Sequence, residues 1–207
     1  VIGDPPCVYP DAMLRSFSIT YDYLCPFARN ANETVVEMLN EGVAYDVAFV
    51  PFSLTENHRQ DRDVHQWDLP VERVGSGVLA LLWSIAVRDG FNDFFLAFHV
   101  ALFSARHDNA EDINDQAVLE AAAGAVGLDP GAVRSLVLTG VPAKTLAADH
   151  TGASEEHGVF GVPTFIHGDE AVFVRFMDRH QSADVERLLD MLSWTNLNEF
   201  KRTSIER

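Results

Sequence analysis

The hydrophobic period of the chain changes within its first fifty residues, and this change constrains the fold more than any other feature. Apolar and polar residues alternate over 16–22, which is the two-residue period of a β-strand. Over 26–39 apolar residues recur at spacings of three and four, and Gly42 ends the predicted helix. A second strand at 45–50 completes a β-α-β unit, whose crossover is expected to be right-handed.

The pattern then becomes helical for about a hundred residues. No convincing strand is visible over 51–157, whereas two strongly apolar segments, 75–90 and 91–107, predict a pair of helices. Asp129 is the expected N-cap of a later helix, with Pro130 at its first position. This block therefore indicates an all-helical insertion.

The C-terminal part returns to strands. Residues 163–167 and 171–176 flank the turn signal Gly168-Asp169 and predict an antiparallel hairpin, which a helix at 182–193 follows. The resulting order is β-α-β, helical insertion, β-β-α. We therefore predict an α/β fold with one discontinuous domain, formed by 16–51 and 158–195. A helical domain at 52–157 is inserted into it, and an irregular segment at 1–15 precedes it.

Composition limits the classes of function. A formal net charge of −16 repels nucleic-acid phosphates, and no apolar run is long enough to cross a bilayer, so we expect neither nucleic-acid nor membrane binding. Two cysteines are too few for a disulfide scaffold, and no secretory signal pattern is visible. The expected location is a reducing cytoplasm. The sequence begins at Val1, so a leader removed before that residue stays an open alternative.

Cys25 lies at the junction between the first predicted strand and the first predicted helix, directly before Pro26. The unpaired N–H groups and the positive dipole end of a helix N-terminus stabilise a thiolate, so this placement predicts a lowered pKa and a nucleophilic sulfur. The alternative is an inert buried cysteine, which is the more common fate of a lone cysteine.

A second feature is the stretch GVFGVPTF, in which Pro163 directly precedes a predicted strand. Proline is tolerated at the first residue of a strand, so Pro163 could simply mark the start of that strand. A cis Val162-Pro163 bond would instead leave backbone groups of Val162 free to pair with an extended substrate.

Together, DYLCPFA, the helical insertion and GVFGVPTF resemble the DsbA-like branch of the thioredoxin superfamily over 16–193. That branch includes FrnE-like oxidoreductases, kappa-class glutathione transferases and 2-hydroxychromene-2-carboxylate isomerases. The resemblance implies a thioredoxin-like fold, with Cys25 as nucleophile and Pro163 as cis-proline. Members that exchange disulfides usually carry Cys-Pro-x-Cys, whereas Ala28 occupies the fourth position here. The resolving cysteine is absent, which predicts a monothiol mechanism.

Three functions follow from the resemblance and stay open. The first is a DsbA-like thiol-disulfide oxidoreductase that uses a low-molecular-weight thiol to resolve a mixed disulfide. The second is a transferase or isomerase in which Cys25 positions glutathione or mycothiol. The third is a non-catalytic module that binds an extended peptide. We expect no tightly bound cofactor. The expected partners are a small thiol or disulfide, or a protein disulfide, and the resemblance also suggests a homodimer.

Other residues complete the predicted site. Pro26 and Phe27 are expected to bind substrate beside the thiol, together with Val162 and Pro163. Asp22 could orient the loop or shuttle protons, although a hydrogen bond to local backbone explains it equally well.

One further cysteine and four histidines have simpler explanations. An unpaired Cys7 is favoured over a role as distant resolving partner. The spacing from His58 to His65 fits no compact metal motif, so no metal is expected. His99 and His107 are explained as helix-surface or core residues.

Overall fold

The computed structural model describes residues 15–194 and 196. Its sheet has four strands in the order β2-β1-β3-β4. The strands are β1 Arg15–Tyr21, β2 Tyr45–Pro51, β3 Thr164–His167 and β4 Glu170–Phe173. Strands β1 and β2 are parallel, and the other two pairs are antiparallel. The helices are α1 Pro26–Asn40, α2 Leu54–Asn57, α3 Val78–Gly90, α4 Phe95–His107, α5 Gln116–Ala125, α6 Pro130–Val137, α7 Val141–His157 and α8 Ser182–Leu192.

The β-α-β unit forms for the reasons that its sequence indicates. The side chains of Phe17, Ile19 and Tyr21 alternate along β1 and are buried, so one face of the strand joins the core. Helix α1 begins at Pro26, whose fixed φ suits the first turn, and it packs its apolar face on the sheet. The α/β order predicted from the sequence is confirmed.

Six helices, α2 to α7, lie between β2 and β3, and over 52–163 the structure has no strand. Asp129 caps α6 as predicted, because its carboxylate accepts a hydrogen bond from the Gly131 N–H at 2.9 Å. These helices surround apolar side chains that are continuous with those under the sheet, including Leu81, Trp83 and Phe103. No helix in the part of the chain that the structure describes is long and apolar enough to cross a bilayer.

The C-terminal hairpin forms around Gly168, but β4 is shorter than predicted. It ends at Phe173 instead of continuing to 176. The N–H of Val174 still donates to the Pro163 carbonyl at 3.1 Å, and the chain then turns onto α1, where Asn30 donates to the Phe176 carbonyl at 2.8 Å. The contact with Asn30 is to α1, so residues 174–176 leave the sheet and pass alongside that helix.

A buried polar network connects the β1–α1 junction to α1 and α4. Tyr23 Oη lies 2.7 Å from His99 Nδ1, and His99 Nε2 lies 3.2 Å from Asn32 Oδ1. The Asn32 oxygen can only accept, so Nε2 carries the proton and Nδ1 accepts from the tyrosine. Complete burial lowers the pKa of His99 to about 3. His99 is therefore a neutral core residue, which is one of the two positions predicted for it.

Candidate functional site

Cys25 occupies the N-cap of α1, directly after the turn that follows β1. Its backbone is extended, with φ −94° and ψ 117°, and its sulfur accepts a hydrogen bond from the Ala28 N–H at 3.4 Å. The Cys25 N–H donates to the Asp22 carbonyl at 3.1 Å, which closes the turn. The side chain is half-buried. The sequence therefore places this sulfur where a helix N-terminus can bind it.

The Pro163 loop lies against the same sulfur. The Val162–Pro163 peptide bond is cis, and the Cys25 thiol donates to the Val162 carbonyl oxygen at 3.3 Å. Thr164 secures the loop, because its N–H donates to Thr20 Oγ1 and its hydroxyl donates to the Gly161 carbonyl, both at 2.8 Å. Because β3 pairs with β1, two segments separated by 137 residues meet at the thiol.

The predicted lowering of the Cys25 pKa is wrong for this structure. Burial raises the pKa of the Cys25 thiol and outweighs the N–H groups of Ala28 and Phe27, which lower it. The contact with Val162 acts in the same direction as burial, since a carbonyl oxygen accepts from the thiol but repels the thiolate. The thiol is thus held in its protonated form, and the helix N-terminus offsets this only in part.

Asp22 lies fully buried beneath the loop. Its Oδ1 accepts from the Leu24 N–H at 2.9 Å and its Oδ2 accepts from the Leu54 N–H at 2.7 Å. Burial raises the pKa of Asp22 to about 6 despite these two hydrogen bonds. The carboxylate therefore binds local backbone, as one alternative predicted, and it also joins the loop to the start of α2. Its negative charge contributes to raising the pKa of Cys25.

A cluster of aromatic rings and one cation lies beside the first turn of α1. Pro26 is exposed and Phe27 is half-buried. The guanidinium carbon of Arg175 lies 5.3 Å from the centre of the Phe27 ring and 5.7 Å from that of Phe173. Phe173 in turn contacts Phe160, whose ring is 5.1 Å away and whose side chain is exposed. Sequence reasoning missed Arg175, because no local pattern marks a residue that only the hairpin carries to the thiol.

The sequence matches a known protein family over most of its length. The family model described as the DSBA-like thioredoxin domain matches residues 18–185, which include both loops at the thiol. The chain belongs to the DsbA-like thioredoxin family. The α/β fold with helices between its two strand-containing parts is that of this family. No curated protein matches the sequence.

Solved structures with the same fold include three that illustrate its range. A Nitrosomonas europaea protein has a TM-score of 0.64 at 12% identity, with 89% of this chain and 100% of that chain covered. The thiol-disulfide exchange protein α-DsbA2 from Wolbachia pipientis has a TM-score of 0.62 at 16% identity, with 88% of this chain and 84% of that chain covered. The cytosolic disulfide reductase DsbM from Pseudomonas aeruginosa, solved with GSH, has a TM-score of 0.58 at 16% identity, with 86% of this chain and 99% of that chain covered. At these identities the likeness concerns the fold.

This DsbA-like chain departs from Cys-Pro-x-Cys at Ala28, whose side chain is fully buried in the first turn of α1. Cys7 lies outside the described residues. Within those residues Cys25 is the single cysteine, and it is a free thiol. The described site can therefore form a mixed disulfide with a second molecule, whereas an internal disulfide would need a cysteine from outside the described part.

The histidines after β2 are engaged in local contacts. His65 Nδ1 lies 2.7 Å from Glu56 Oε1, and its ring stacks on Trp67 at 4.9 Å. His58 Nδ1 lies 2.7 Å from the Leu54 carbonyl oxygen. The Asn57 side-chain amide donates to the Phe160 carbonyl at 3.1 Å, so the end of α2 contacts the loop that precedes Pro163. Across 15–194, no three His, Cys, Asp or Glu side chains are grouped as a metal site.

Proposed function

We propose that this DsbA-like protein is a monothiol thiol-disulfide oxidoreductase, with Cys25 as its nucleophile and a low-molecular-weight thiol as cosubstrate. The observation that carries the proposal is the Cys25 sulfur at the N-terminus of α1, 3.3 Å from the Val162 carbonyl, with alanine where a resolving cysteine would lie. Pro26 and Phe27 adjoin this sulfur and would contact the substrate. Val162 and Pro163 are buried against the sulfur and would contact the substrate where it displaces the thiol from the Val162 carbonyl.

The reaction balances with one sulfur on the protein. Cys25 loses its proton to solvent, its thiolate attacks one sulfur of a disulfide, and that S–S bond breaks as the new mixed disulfide forms. The leaving thiolate takes up a proton. A small thiol then attacks the mixed disulfide as its thiolate, releases Cys25 and carries the second sulfur away as a new disulfide. The small thiol thereby ends in a mixed disulfide with half of the substrate. A second small thiol that cleaves this disulfide completes the two-electron reduction and gives two substrate thiols and one oxidised small thiol.

The raised pKa of Cys25 defines how the site would operate. At neutral pH most of the population holds a thiol that donates to Val162, and the reactive thiolate is a minority form. A substrate that reaches the sulfur has to displace this hydrogen bond. The N–H groups of Ala28 and Phe27 remain in place to stabilise the thiolate that results.

Intact-mass spectrometry after incubation with oxidised glutathione, and separately with the oxidised form of mycothiol, tests the proposal. We expect one adduct in a Cys7→Ser background, its loss in Cys7→Ser/Cys25→Ser, and its release by the matching reduced thiol. DsbM, a relative solved with GSH, supports glutathione as the first thiol to try. A Cys25 that forms no adduct with either disulfide would overturn the proposal.

One observation favours a second candidate. The thiol form of Cys25 is a hydrogen-bond donor, and a donor beside an α1 N-terminus could hold the thiolate of bound glutathione or mycothiol instead of reacting itself. The protein would then be a transferase or isomerase. Turnover of an electrophile that survives Cys25→Ser, whose hydroxyl is also a donor, would support this candidate over disulfide exchange.

The third candidate, a non-catalytic peptide-binding module, has less support. Strand addition would require an open backbone beside Pro163, yet Val162 is only 3% exposed. We also propose a cytoplasmic location and a homodimer, which fractionation of the native host and light scattering respectively would test. The cytosolic relative DsbM supports the location, and a protein thiol that cycles through mixed disulfides suits a reducing compartment.

A further inference from the structure

Arg175 is an exposed cation in a chain of net charge −16, and it stands at the proposed reaction site. The ion pairs of the described residues engage six other arginines, and Arg175 is in none of them. These paired arginines are Arg15, Arg29, Arg59, Arg88, Arg179 and Arg187. The guanidinium of Arg175 therefore keeps its hydrogen-bonding edge for a ligand.

The position of Arg175 follows from two independent contacts. The backbone of Val174 donates to the Pro163 carbonyl at 3.1 Å, so the next residue begins beside the loop that faces the thiol. The Arg175 side chain then lies between the rings of Phe27 and Phe173, at 5.3 and 5.7 Å. Phe27 is two residues from Cys25. The guanidinium carbon lies over both aromatic rings, and no hydrogen bond or ion pair to another described residue engages its N–H groups, so these remain for a ligand.

We propose that Arg175 selects disulfides and thiols that carry a carboxylate. This inference rests on the proposed exchange chemistry of Cys25. A guanidinium edge matches a carboxylate in a bidentate pair, and an overall negative protein would otherwise repel an anionic substrate. The assignment separates the two thiols considered above, since glutathione carries carboxylates and mycothiol carries none. It therefore favours a glutathione-like cosubstrate.

The test compares three disulfides that differ mainly in charge: dithiodiglycolate, which is anionic, bis(2-hydroxyethyl) disulfide, which is neutral, and cystamine, which is cationic. The rate of adduct formation at Cys25 is measured for Arg175→Gln, Arg175→Lys and the unchanged residue, all in a Cys7→Ser background. Arg134→Gln is the matched control, because Arg134 is also exposed and is in no ion pair with another described residue, but lies on α6. Ratios of rates are the readout, since Arg175 also lowers the pKa of Cys25 and its loss slows every reaction.

We expect Arg175→Gln to lower the anionic-to-neutral rate ratio by about threefold to tenfold, in the range of one charge-assisted hydrogen bond at an exposed site. The cationic-to-neutral ratio should rise. Arg175→Lys should restore part of the preference, and Arg134→Gln should leave it unchanged. The preference should also weaken in high salt.

The outcomes separate the two proposals. Equal slowing with all three disulfides in Arg175→Gln would overturn the carboxylate preference and leave the exchange chemistry of Cys25 intact. An absence of reaction with every disulfide in the unchanged protein would overturn the proposed function itself. Folding of each variant is checked by its thermal unfolding midpoint. This midpoint should fall by no more than about 4 °C, because Arg175 makes no ion pair within the described residues and loses only exposed cation–π contacts.

Discussion

The Cys25 thiol donates a hydrogen bond to the carbonyl oxygen of Val162 at 3.3 Å, and the two residues are 137 positions apart in the chain. The same sulfur accepts from the Ala28 N–H at 3.4 Å. The first contact stabilises the thiol and the second stabilises the thiolate. The protonation state of the sulfur is thus decided by a balance between the Pro163 loop and the N-terminus of α1.

That balance predicts the pH profile of Cys25. Since burial raises the pKa of the thiol, the alkylation rate should inflect above the ordinary cysteine value of about 8.5. The measurement is the rate of iodoacetamide addition against pH, followed by intact mass in Cys7→Ser, with Cys7→Ser/Cys25→Ser as background. An inflection at or below the ordinary value would show that the helix N-terminus outweighs burial.

Asp22 should suppress the reactivity of this thiol. Its buried negative charge contributes to raising the pKa of Cys25, so Asp22→Asn should increase alkylation at neutral pH by about twofold to fivefold, because more of the sulfur is then thiolate. Asp61→Asn, on an exposed residue, is the control. If Asp22 instead shuttled protons for exchange, the variant would react more slowly with disulfides, and this result would contradict the prediction.

The same carboxyl should make stability depend on pH. The pKa of Asp22 is raised from 3.8 to about 6, so the folded state binds its proton more tightly than the unfolded state. The stabilisation is present in full below the unfolded value and is lost as pH rises through the folded value, by about 3 kcal/mol in total.

Denaturant unfolding of the unchanged protein and of Asp22→Asn checks this dependence across the acidic range. The difference in the free energy of unfolding between them should shift in favour of the variant as pH rises through about 6. Asp61→Asn should show no such shift. A constant difference over this range would mean that Asp22 ionises freely in the folded state.

His99 should act in the opposite direction. Its pKa is lowered from 6.5 to about 3, so its contribution to stability is present above the unfolded value and is lost as pH falls towards the folded one. By about pH 4 this loss reaches roughly 3 kcal/mol. His99→Leu should be less stable at neutral pH, since Tyr23 and Asn32 lose a partner, but it should lose less stability on acidification.

Acid unfolding curves of His99→Leu and of the control His58→Gln measure this effect. His58 is exposed, so its replacement should leave the acid dependence of the protein unchanged. A His99→Leu variant with the same acid dependence as the unchanged protein would show that another group governs acid unfolding.

Restoring the family motif should convert the site to dithiol chemistry. Ala28 lies in the first turn of α1, and its backbone nitrogen is 3.4 Å from Cys25 Sγ. Ala28→Cys in a Cys7→Ser background should therefore form an internal disulfide on oxidation. Intact mass should show the loss of two hydrogens and no lasting adduct with oxidised glutathione. Ala31→Cys, buried one turn further along α1, is the control that is too distant to bridge. A persistent adduct in Ala28→Cys would contradict the prediction.

The fold was largely predictable because its signals are local. The alternation along β1, the spacing of apolar residues in α1 and the cap at Asp129 each depend on neighbours within a few positions. The predicted end of β4 was wrong, since the contact of Asn30 with the Phe176 carbonyl comes from a distant helix. No local pattern carries that information.

The sequence by itself determined the order of strands and helices, and it placed one cysteine at a helix N-terminus with alanine three residues later. The tertiary structure alone decided the charge state of that cysteine and brought Arg175 to it. Desolvation depends on every atom around the sulfur, and these atoms include groups from segments far along the chain, such as the Val162 carbonyl. The helix end therefore suggested a thiolate, whereas the Val162 carbonyl and the surrounding burial keep the proton on the sulfur.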